Sequence, residues 1–427
     1  MKVLVLGGGG REHALCRALA DDREVTDLAC APGNAGTAGV ATNHPVSVTD
    51  GAAVVELVGN LAADLVVVGP EAPLVAGVAD EVRAAGVPCF GPSAAAAHLE
   101  GSKAFAKEIM AAAGVPTAES RVCAAKEEVT EALDAFGPPY VVKNDGLAGG
   151  KGVVVTEDRS TAESHAAACG RVVVEEYLDG PELSLFALTD GTTVLPLQPA
   201  QDYKRIHDGD HGPNTGGMGA YSPLPWAPPT LVEDVAGAVL QPTVDEMRRR
   251  GRPYAGLLYA GLALTSGGPK VVEFNARFGD PETQPLLARL RTPLAPLLHA
   301  TATGELAAAP PPRWSAAAAV TVVIAAEGYP GAVATGDVID GVEEAEGVLG
   351  AYVLHAGTAR DEAGRLVSAG GRVLNIVGVG ADLAEARTNA YDGAARIRMR
   401  GAQYRTDIAA PRSRLWGYEW VQIRPTT

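Results

Sequence analysis

Lys2-Val3-Leu4-Val5-Leu6-Gly7-Gly8-Gly9-Gly10-Arg11-Glu12-His13-Ala14-Leu15 opens the chain and decides its architecture. Residues 2–6 carry an apolar run short enough for a buried strand. A glycine turn follows, and Leu15, Ala18 and Leu19 then fall on one face of a helix over residues 12–20. The pattern recurs. Residues 28–30 run into Ala31-Pro32-Gly33-Asn34-Ala35-Gly36, residues 65–68 into Gly69-Pro70-Glu71-Ala72-Pro73, and residues 87–90 into Gly91-Pro92-Ser93. Strands alternating with helices predict a doubly wound, Rossmann-like parallel sheet over residues 1–100. Ligands of such sheets sit beyond the carboxyl ends of the strands, which is where these turns fall.

The glycine run is not a dinucleotide fingerprint. Counted from Gly7 the third glycine would be Glu12, counted from Gly8 it would be His13, and no acidic residue ends the second strand. GxxxxGK[ST] is absent as well. What remains is a strand-to-helix turn whose N–H groups and helix dipole face an anion, most often phosphate, which makes Gly8, Gly9 and Gly10 binding candidates.

Downstream, a helix over residues 102–113 and a connector at 114–116 lead into a small mixed unit at about 117–183. An α+β body with a long loop at 207–219 follows, so residues 101–306 read as one two-part domain with a small lid. Ala307-Ala308-Ala309-Pro310-Pro311-Pro312 cannot propagate a helix and marks a linker over 307–314. Residues 315–427 form a β-rich domain with a helix N-capped by Asp382, along which Leu383, Ala386, Ala390, Ala394 and Ile397 are spaced helically. The fold class is therefore α/β and α+β.

Composition narrows the partners. The 427 residues carry a net charge of −16, which disfavours nucleic acid and anionic membranes as partners. No run approaches the ~18 apolar residues of a membrane span, and the N-terminal strand is too short for a signal peptide. Cys16, Cys30, Cys89, Cys123 and Cys169 are scattered, as in a cytoplasmic enzyme with reduced thiols. Arginine supplies most of the positive charge, and only eight lysines occur. A lysine inside a motif therefore stands out as a point charge suited to phosphate.

Three motifs carry chemistry. Gly146-Leu147-Ala148-Gly149-Gly150-Lys151-Gly152 joins two short strands and can fold over a triphosphate, with Lys143 at the end of the first strand. In Val271-Val272-Glu273-Phe274-Asn275-Ala276-Arg277, the strand period places Glu273, Asn275 and Arg277 on one face. Hard oxygen ligands beside a guanidinium suit metal-bridged phosphates, and Gly279-Asp280-Pro281-Glu282 adds carboxylates. Glu175-Glu176-Tyr177-Leu178 and Glu182 could offer a backbone edge to adenine and a carboxylate to ribose, but read alone they are a strand end with surface acids. His207 and His211 read as loop residues.

These stretches resemble the phosphoribosylamine–glycine ligase family of the ATP-grasp superfamily. The resemblance also rests on Leu99-Glu100-Gly101-Ser102-Lys103-Ala104-Phe105, on Gln201-Asp202, on Gly212-Pro213-Asn214-Thr215-Gly216-Gly217-Met218-Gly219 and on His355-Ala356-Gly357-Thr358, so it spans nearly the whole chain. It implies an ATP-grasp architecture and ATP-dependent ligation of glycine to 5-phospho-β-D-ribosylamine through glycyl phosphate, with Mg²⁺ or Mn²⁺. By matching motif it implies Lys103, Lys143, Lys151 and Gly152 on the ATP phosphates, and Glu175, Glu176, Tyr177, Leu178 and Glu182 on adenosine. It further implies Glu273 and Asn275 on the metal, and Arg277, Asp202 and Lys151 in catalysis. Gly8, Gly9, Gly10, Glu71, Asp202, Asn214, Thr215, Gly216, Gly217 and Arg277 would line the two other substrate pockets. The implied enzyme is a cytoplasmic monomer acting on small molecules. The chain departs from the family in a shorter stretch between Val155 and Val172, in Asn144 and Gly149 where alanine is usual, and in Gly8 where asparagine is common.

Overall fold

The computed structural model describes residues 1–147 and 152–411. Strand Lys2–Gly7 lies at the centre of a five-stranded parallel sheet, between Asp27–Pro32 and Leu65–Val68. Thr42–Asn43 and Cys89–Phe90 form its edges. Alternate residues of each strand feed different cores. Leu4, Leu6, Val66 and Val68 pack on one face, Val3, Val5, Leu65 and Val67 on the other. Burial on both faces is why these strands read as unbroken apolar runs.

The first helix spans Gly10–Ala20 and so starts two residues earlier than the apolar spacing predicts. Glu12 explains this, because its Oε2 accepts the Gly9 N–H at 2.7 Å and satisfies an otherwise orphaned donor of the first turn. The helix expected over residues 102–113 spans Lys103–Ala113, with the Ser102 hydroxyl accepting from Phe105 N at 3.1 Å and Gly114 closing it in the left-handed region.

The small unit is a four-stranded antiparallel sheet in the order Ser120–Cys123, Val172–Glu175, Tyr140–Asn144, Val153–Thr156. Helices Lys126–Phe136 and Arg159–Cys169 close its own core around Leu133, Val142, Ala162 and Val174. The larger body is a second antiparallel sheet, in the order Val194–Pro196, Glu182–Asp190, Ala255–Thr265, Gly268–Asn275.

A third antiparallel sheet runs Gln201–Asp202, Gly219–Ser222, Ala318–Ala325, Arg372–Gly380, Ala351–His355. Its first two strands come from before residue 307, so the body and the C-terminal part share one hydrogen-bonded sheet. Two sequence expectations change. The loop at 207–219 contains a hairpin, Arg205–His207 against His211–Asn214, so His207 and His211 are exposed strand residues paired across it. The last helix, Leu383–Ala394, is capped by Asp382 as expected but ends before Ile397, which packs against the core from outside it. Among the described residues no helix is long and apolar enough to cross a membrane.

Candidate active site

The glycine turn is the meeting point of all three parts of the chain. Arg11 is buried, with Nε on Glu12 Oε1 at 2.6 Å and Nη1 donating to the Phe278 carbonyl at 2.9 Å. Asn34 donates from Nδ2 to the carbonyls of Gly8 (3.0 Å) and His355 (2.9 Å). A side chain at Gly10 would overlap the Asn375 amide and lie 2.9 Å from Gln284 Nε2, so only glycine lets the first helix seat against the C-terminal sheet. Gln284 in turn donates to Asp280 Oδ1 at 2.8 Å.

Arg277 anchors the opposite wall. Its Nε lies 3.2 Å from Glu71 and its Nη2 3.2 Å from Glu100, whose other oxygen accepts Ala276 N–H at 2.7 Å. Burial opposes a charged guanidinium, but Glu100 and Glu71 outweigh it and raise the Arg277 pKa further. Burial pushes the Glu100 carboxyl up despite Arg277, whereas for Glu71 the nearby Arg277 and Arg11 overcome burial and hold it low.

The polar face read from the sequence exists. Glu273, Asn275 and Arg277 are half-buried while Phe274 and Ala276 are buried. A bulge next to Val272 resets the register, pairing Glu273 with Gly261 and Asn275 with Tyr259. A side chain at Gly261 would come within 3.2 Å of Glu273 Cγ, so the glycine opposite gives the carboxylate its room.

Glu282 is buried and accepts from Tyr259 Oη at 3.0 Å and Ser184 Oγ at 3.3 Å. Burial pushes the Asp202 carboxyl up to about 7; Lys204 opposes this, while Glu282, Glu182 and Glu273 add to it. Four carboxylates thus face one ammonium, and that excess of negative charge fits a hard divalent cation. Among the described residues no three acidic, His or Cys side chains converge at metal-ligand distance. The donor set therefore suits a cation held by one or two protein oxygens plus substrate phosphates.

The nucleotide candidates divide into two groups. Glu175 is no surface acid: it is 3% exposed, with Lys143 Nζ at 2.8 Å and Lys107 Nζ at 3.2 Å. Lys143 also donates to the Val272 carbonyl at 2.8 Å, which ties the small unit to the Glu273 strand. Lys103 donates to the Gly146 carbonyl at 3.2 Å, and Asp145 accepts Ala104 N–H at 3.1 Å and Ser102 Oγ at 2.9 Å. Glu176 pairs with Lys270 at 3.0 Å, Tyr177 is exposed, and Glu182 is a half-exposed partner of Lys204 at 2.9 Å. Gly152 is buried, and Lys151 lies outside the described residues. Thr215 Oγ1 donates to the Lys204 carbonyl at 2.9 Å and accepts Gly217 N–H at 2.9 Å, shaping the 214–217 loop.

Beside the glycine turn, His13 and His355 are both buried, and His355 N–H donates to His13 Nδ1 at 2.8 Å. Burial, with the His355 and Arg17 charges, lowers the His13 pKa to about 3, and burial with Arg360 lowers that of His355 to about 4. Both values lie below the unfolded value of about 6.5, so the unfolded chain binds more protons and stability is lost as pH falls from about 6.5 toward 4. Replacing His355 with asparagine is expected to flatten the slope of stability against pH in that window by up to about 1.4 kcal/mol per pH unit. Urea titrations at pH 6.5, 5.5 and 4.5 check this, and parallel curves for the two proteins would refute it.

Phosphoribosylglycinamide synthetase models match in succession: the N domain over residues 1–100, the ATP-grasp domain over 101–283 and the C domain over 319–411. A phosphoribosylamine–glycine ligase from Streptomyces coelicolor is 68% identical over 412 residues, covering 96% of this chain and 99% of the relative. One from Mycobacterium tuberculosis is 56% identical, covering 96% and 97%. The chain belongs to the phosphoribosylglycinamide synthetase family. The crystal structure of a phosphoribosylamine–glycine ligase from Thermotoga maritima superposes with a TM-score of 0.83 at 34% identity, covering 96% of this chain and all of that one. An ADP complex of N5-carboxyaminoimidazole ribonucleotide synthetase (TM-score 0.64, 17% identity) shares the fold. Like its family, the chain is an ATP-grasp carbon–nitrogen ligase.

Sequence reading missed Arg11, Lys107, Gln284, Arg372 and Asn375, which hold this junction together. Lys107 had a signal: it is one of only eight lysines and lies one helical turn after Lys103. For the others, the contacts that close the junction, Arg11 to Phe278, Gln284 to Asn375 and Arg372 to Gly216 and Asp280, reach far along the chain, and no neighbouring residue announces them.

Proposed function

We propose that the enzyme joins glycine to 5-phospho-β-D-ribosylamine in de novo purine biosynthesis, on a chain organised as residues 1–100, 101–306 and 315–427 about the 307–314 linker. The observation that carries this reading is the junction of glycine turn, Glu273 strand and 214–217 loop, together with full-length kinship to ligases of that name. A carboxylate oxygen of glycine attacks the γ-phosphorus of ATP, the bond to the bridging oxygen breaks, and ADP leaves. The ribosylamine nitrogen then attacks the glycyl carbonyl carbon, phosphate departs, and the amine gives up one proton.

Transfer of this kind demands positioning and charge neutralisation rather than a protein nucleophile. Lys103, Lys143, Lys151 and Gly152 hold the phosphates, and Glu175 to Leu178 with Glu182 hold adenosine. Glu273 and Asn275 hold Mg²⁺ or Mn²⁺, which supplies charge neutralisation at the phosphate oxygens when bound. Arg277, pinned between Glu71 and Glu100, lies near the transferred group, and Asp202 and Lys151 act with it in catalysis. Gly8–Gly10, Glu71 and Asn214–Gly217 line the two substrate pockets. The enzyme works as a cytoplasmic monomer on small molecules.

Lys151→Ala is expected to raise the KM for ATP about tenfold or more while leaving the KM for glycine unchanged, from loss of a charge-assisted phosphate contact. Steady-state kinetics with each substrate varied in turn checks this, and an unchanged ATP KM would make the hairpin purely structural. The reaction itself is tested by ADP release, omitting glycine or phosphoribosylamine in turn. A need for both, with one product per ADP, is expected. Turnover with alanine but not glycine would overturn the assignment.

A further inference from the structure

The 214–217 loop belongs to the body of the molecule but is held by the C-terminal part. Arg372 heads strand Arg372–Gly380, and its Nη1 donates to the carbonyls of Gly216 (2.5 Å), Asp280 (2.7 Å) and Gly217 (3.4 Å). Its Nη2 lies 3.1 Å from Asp280 Oδ2. Tyr329, also C-terminal, accepts Gly216 N–H on its hydroxyl at 2.8 Å. Gly216 is therefore gripped at both its N–H and its carbonyl by side chains more than a hundred residues away.

The clasp continues into the glycine turn. Asp280 takes Arg372 on one oxygen and Gln284 on the other, and Gln284 donates at 3.3 Å to Asn375, which abuts Gly10 and follows Arg372 on the same strand. Burial pushes the Asp280 carboxyl up, but Arg372 and Arg11 outweigh it and keep it ionised. At the far end of the hairpin, buried Arg405 pairs with Asp210 at 2.8 Å and with Asp407 at 2.6 Å, and Gly209 N–H donates to Asp407 at 2.8 Å. The C-terminal part thus fixes the 205–217 segment at the tip of its hairpin and at its 216–217 end.

We propose that Arg372, assisted by Tyr329, is a positioning residue for the pocket of the non-nucleotide substrates: it sets the 214–217 backbone and registers it against the glycine turn through Asp280. Only a planar fork can span two loop carbonyls, a third carbonyl and a carboxylate at once, so lysine is not an equivalent replacement. The C-terminal part therefore contributes to substrate affinity without supplying a group that reacts. The inference rests on the proposed role of the 214–217 loop.

The test is steady-state kinetics of the full-length enzyme carrying Arg372→Gln, Arg372→Lys or Tyr329→Phe, varying ATP, glycine and phosphoribosylamine separately. Arg372→Gln is expected to raise the KM of glycine, of phosphoribosylamine or of both about tenfold, equivalent to about 1.4 kcal/mol, with the KM of ATP within about twofold. Arg372→Lys should recover only part of this loss, and Tyr329→Phe, which deletes one hydroxyl, should move the same KM about threefold. Combined, the Arg372→Gln and Tyr329→Phe effects should fall short of additive, since both act on Gly216. Equal loss for all three substrates, or a fall in melting temperature with every KM unchanged, would overturn the proposal. Should Arg372→Gln fail to fold, Tyr329→Phe alone decides, and an unchanged KM for both non-nucleotide substrates refutes it. A wild-type enzyme that does not require glycine and phosphoribosylamine would instead refute the functional reading.

Discussion

Glu273→Ala is expected to lower turnover about 100-fold or more at saturating substrates, because on the proposed assignment it would remove a charged ligand from the cation that neutralises the transferred phosphate. The same change should leave the fold intact. Glu273 is half-buried on the last strand of the body, and it is one of three carboxylates that, with burial, push Asp202 up to about 7. Removing it relieves like-charge repulsion instead of orphaning a partner, so the melting temperature should hold or rise slightly. Glu273→Gln separates charge from shape: it keeps the volume opposite Gly261 and should be nearly as inactive. Turnover at saturating Mg²⁺, measured beside a melting curve, checks both halves. Activity within tenfold of wild type, or a large drop in melting temperature, would show that Glu273 is not the metal ligand.

The second large effect is on stability. Glu175→Ala is expected to cost about 3–5 kcal/mol, the usual penalty for deleting one partner of a buried ion pair. Glu175 is 3% exposed, and the side chains of Lys107 and Lys143 that flank it are 9% and 5% exposed. Without it, two ammonium groups would share a buried site with no counter-charge. Burial already pulls the Lys107 pKa down even against Glu175, so little margin remains. Because Lys143 also reaches Val272, the loss should loosen the small unit from the Glu273 strand. Urea unfolding of the variant checks the magnitude, and a change below about 1 kcal/mol would refute the reading. Glu175→Gln, which keeps hydrogen-bonding oxygen, should cost less.

Much of this was legible in the chain because it depends on near neighbours. The period-two pattern from Glu273 to Arg277 places three polar side chains on one face wherever that strand docks. Apolar runs at residues 2–6 and 65–68 required burial on both faces, which is a parallel sheet covered by helices. Asp382 announced its helix because capping is settled within three residues. The 207–219 segment was misread as a loop because its glycines and Pro213 hide a hairpin whose tip is fixed by Arg405 and Asp407 and whose following residues are fixed by Arg372. Glu175 was misread as a surface acid because nothing adjacent to it shows that two lysines from other elements converge on it.

Local sequence therefore determined the strands and helices, the glycine turn and the carboxylate face, since backbone sterics, side-chain periodicity and capping act over a few residues. Tertiary structure alone decided which charges meet. Arg11 with Phe278, Asn34 with His355, Arg372 with Gly216 and Asp280, and Arg277 between Glu71 and Glu100 are all pairings across long sequence separation. Burial gives those pairings their strength, because an ionised or hydrogen-bonding group withdrawn from water must find its partner within the protein. Which partner it finds depends on how three sheets pack around one turn, and no window of neighbouring residues contains that information.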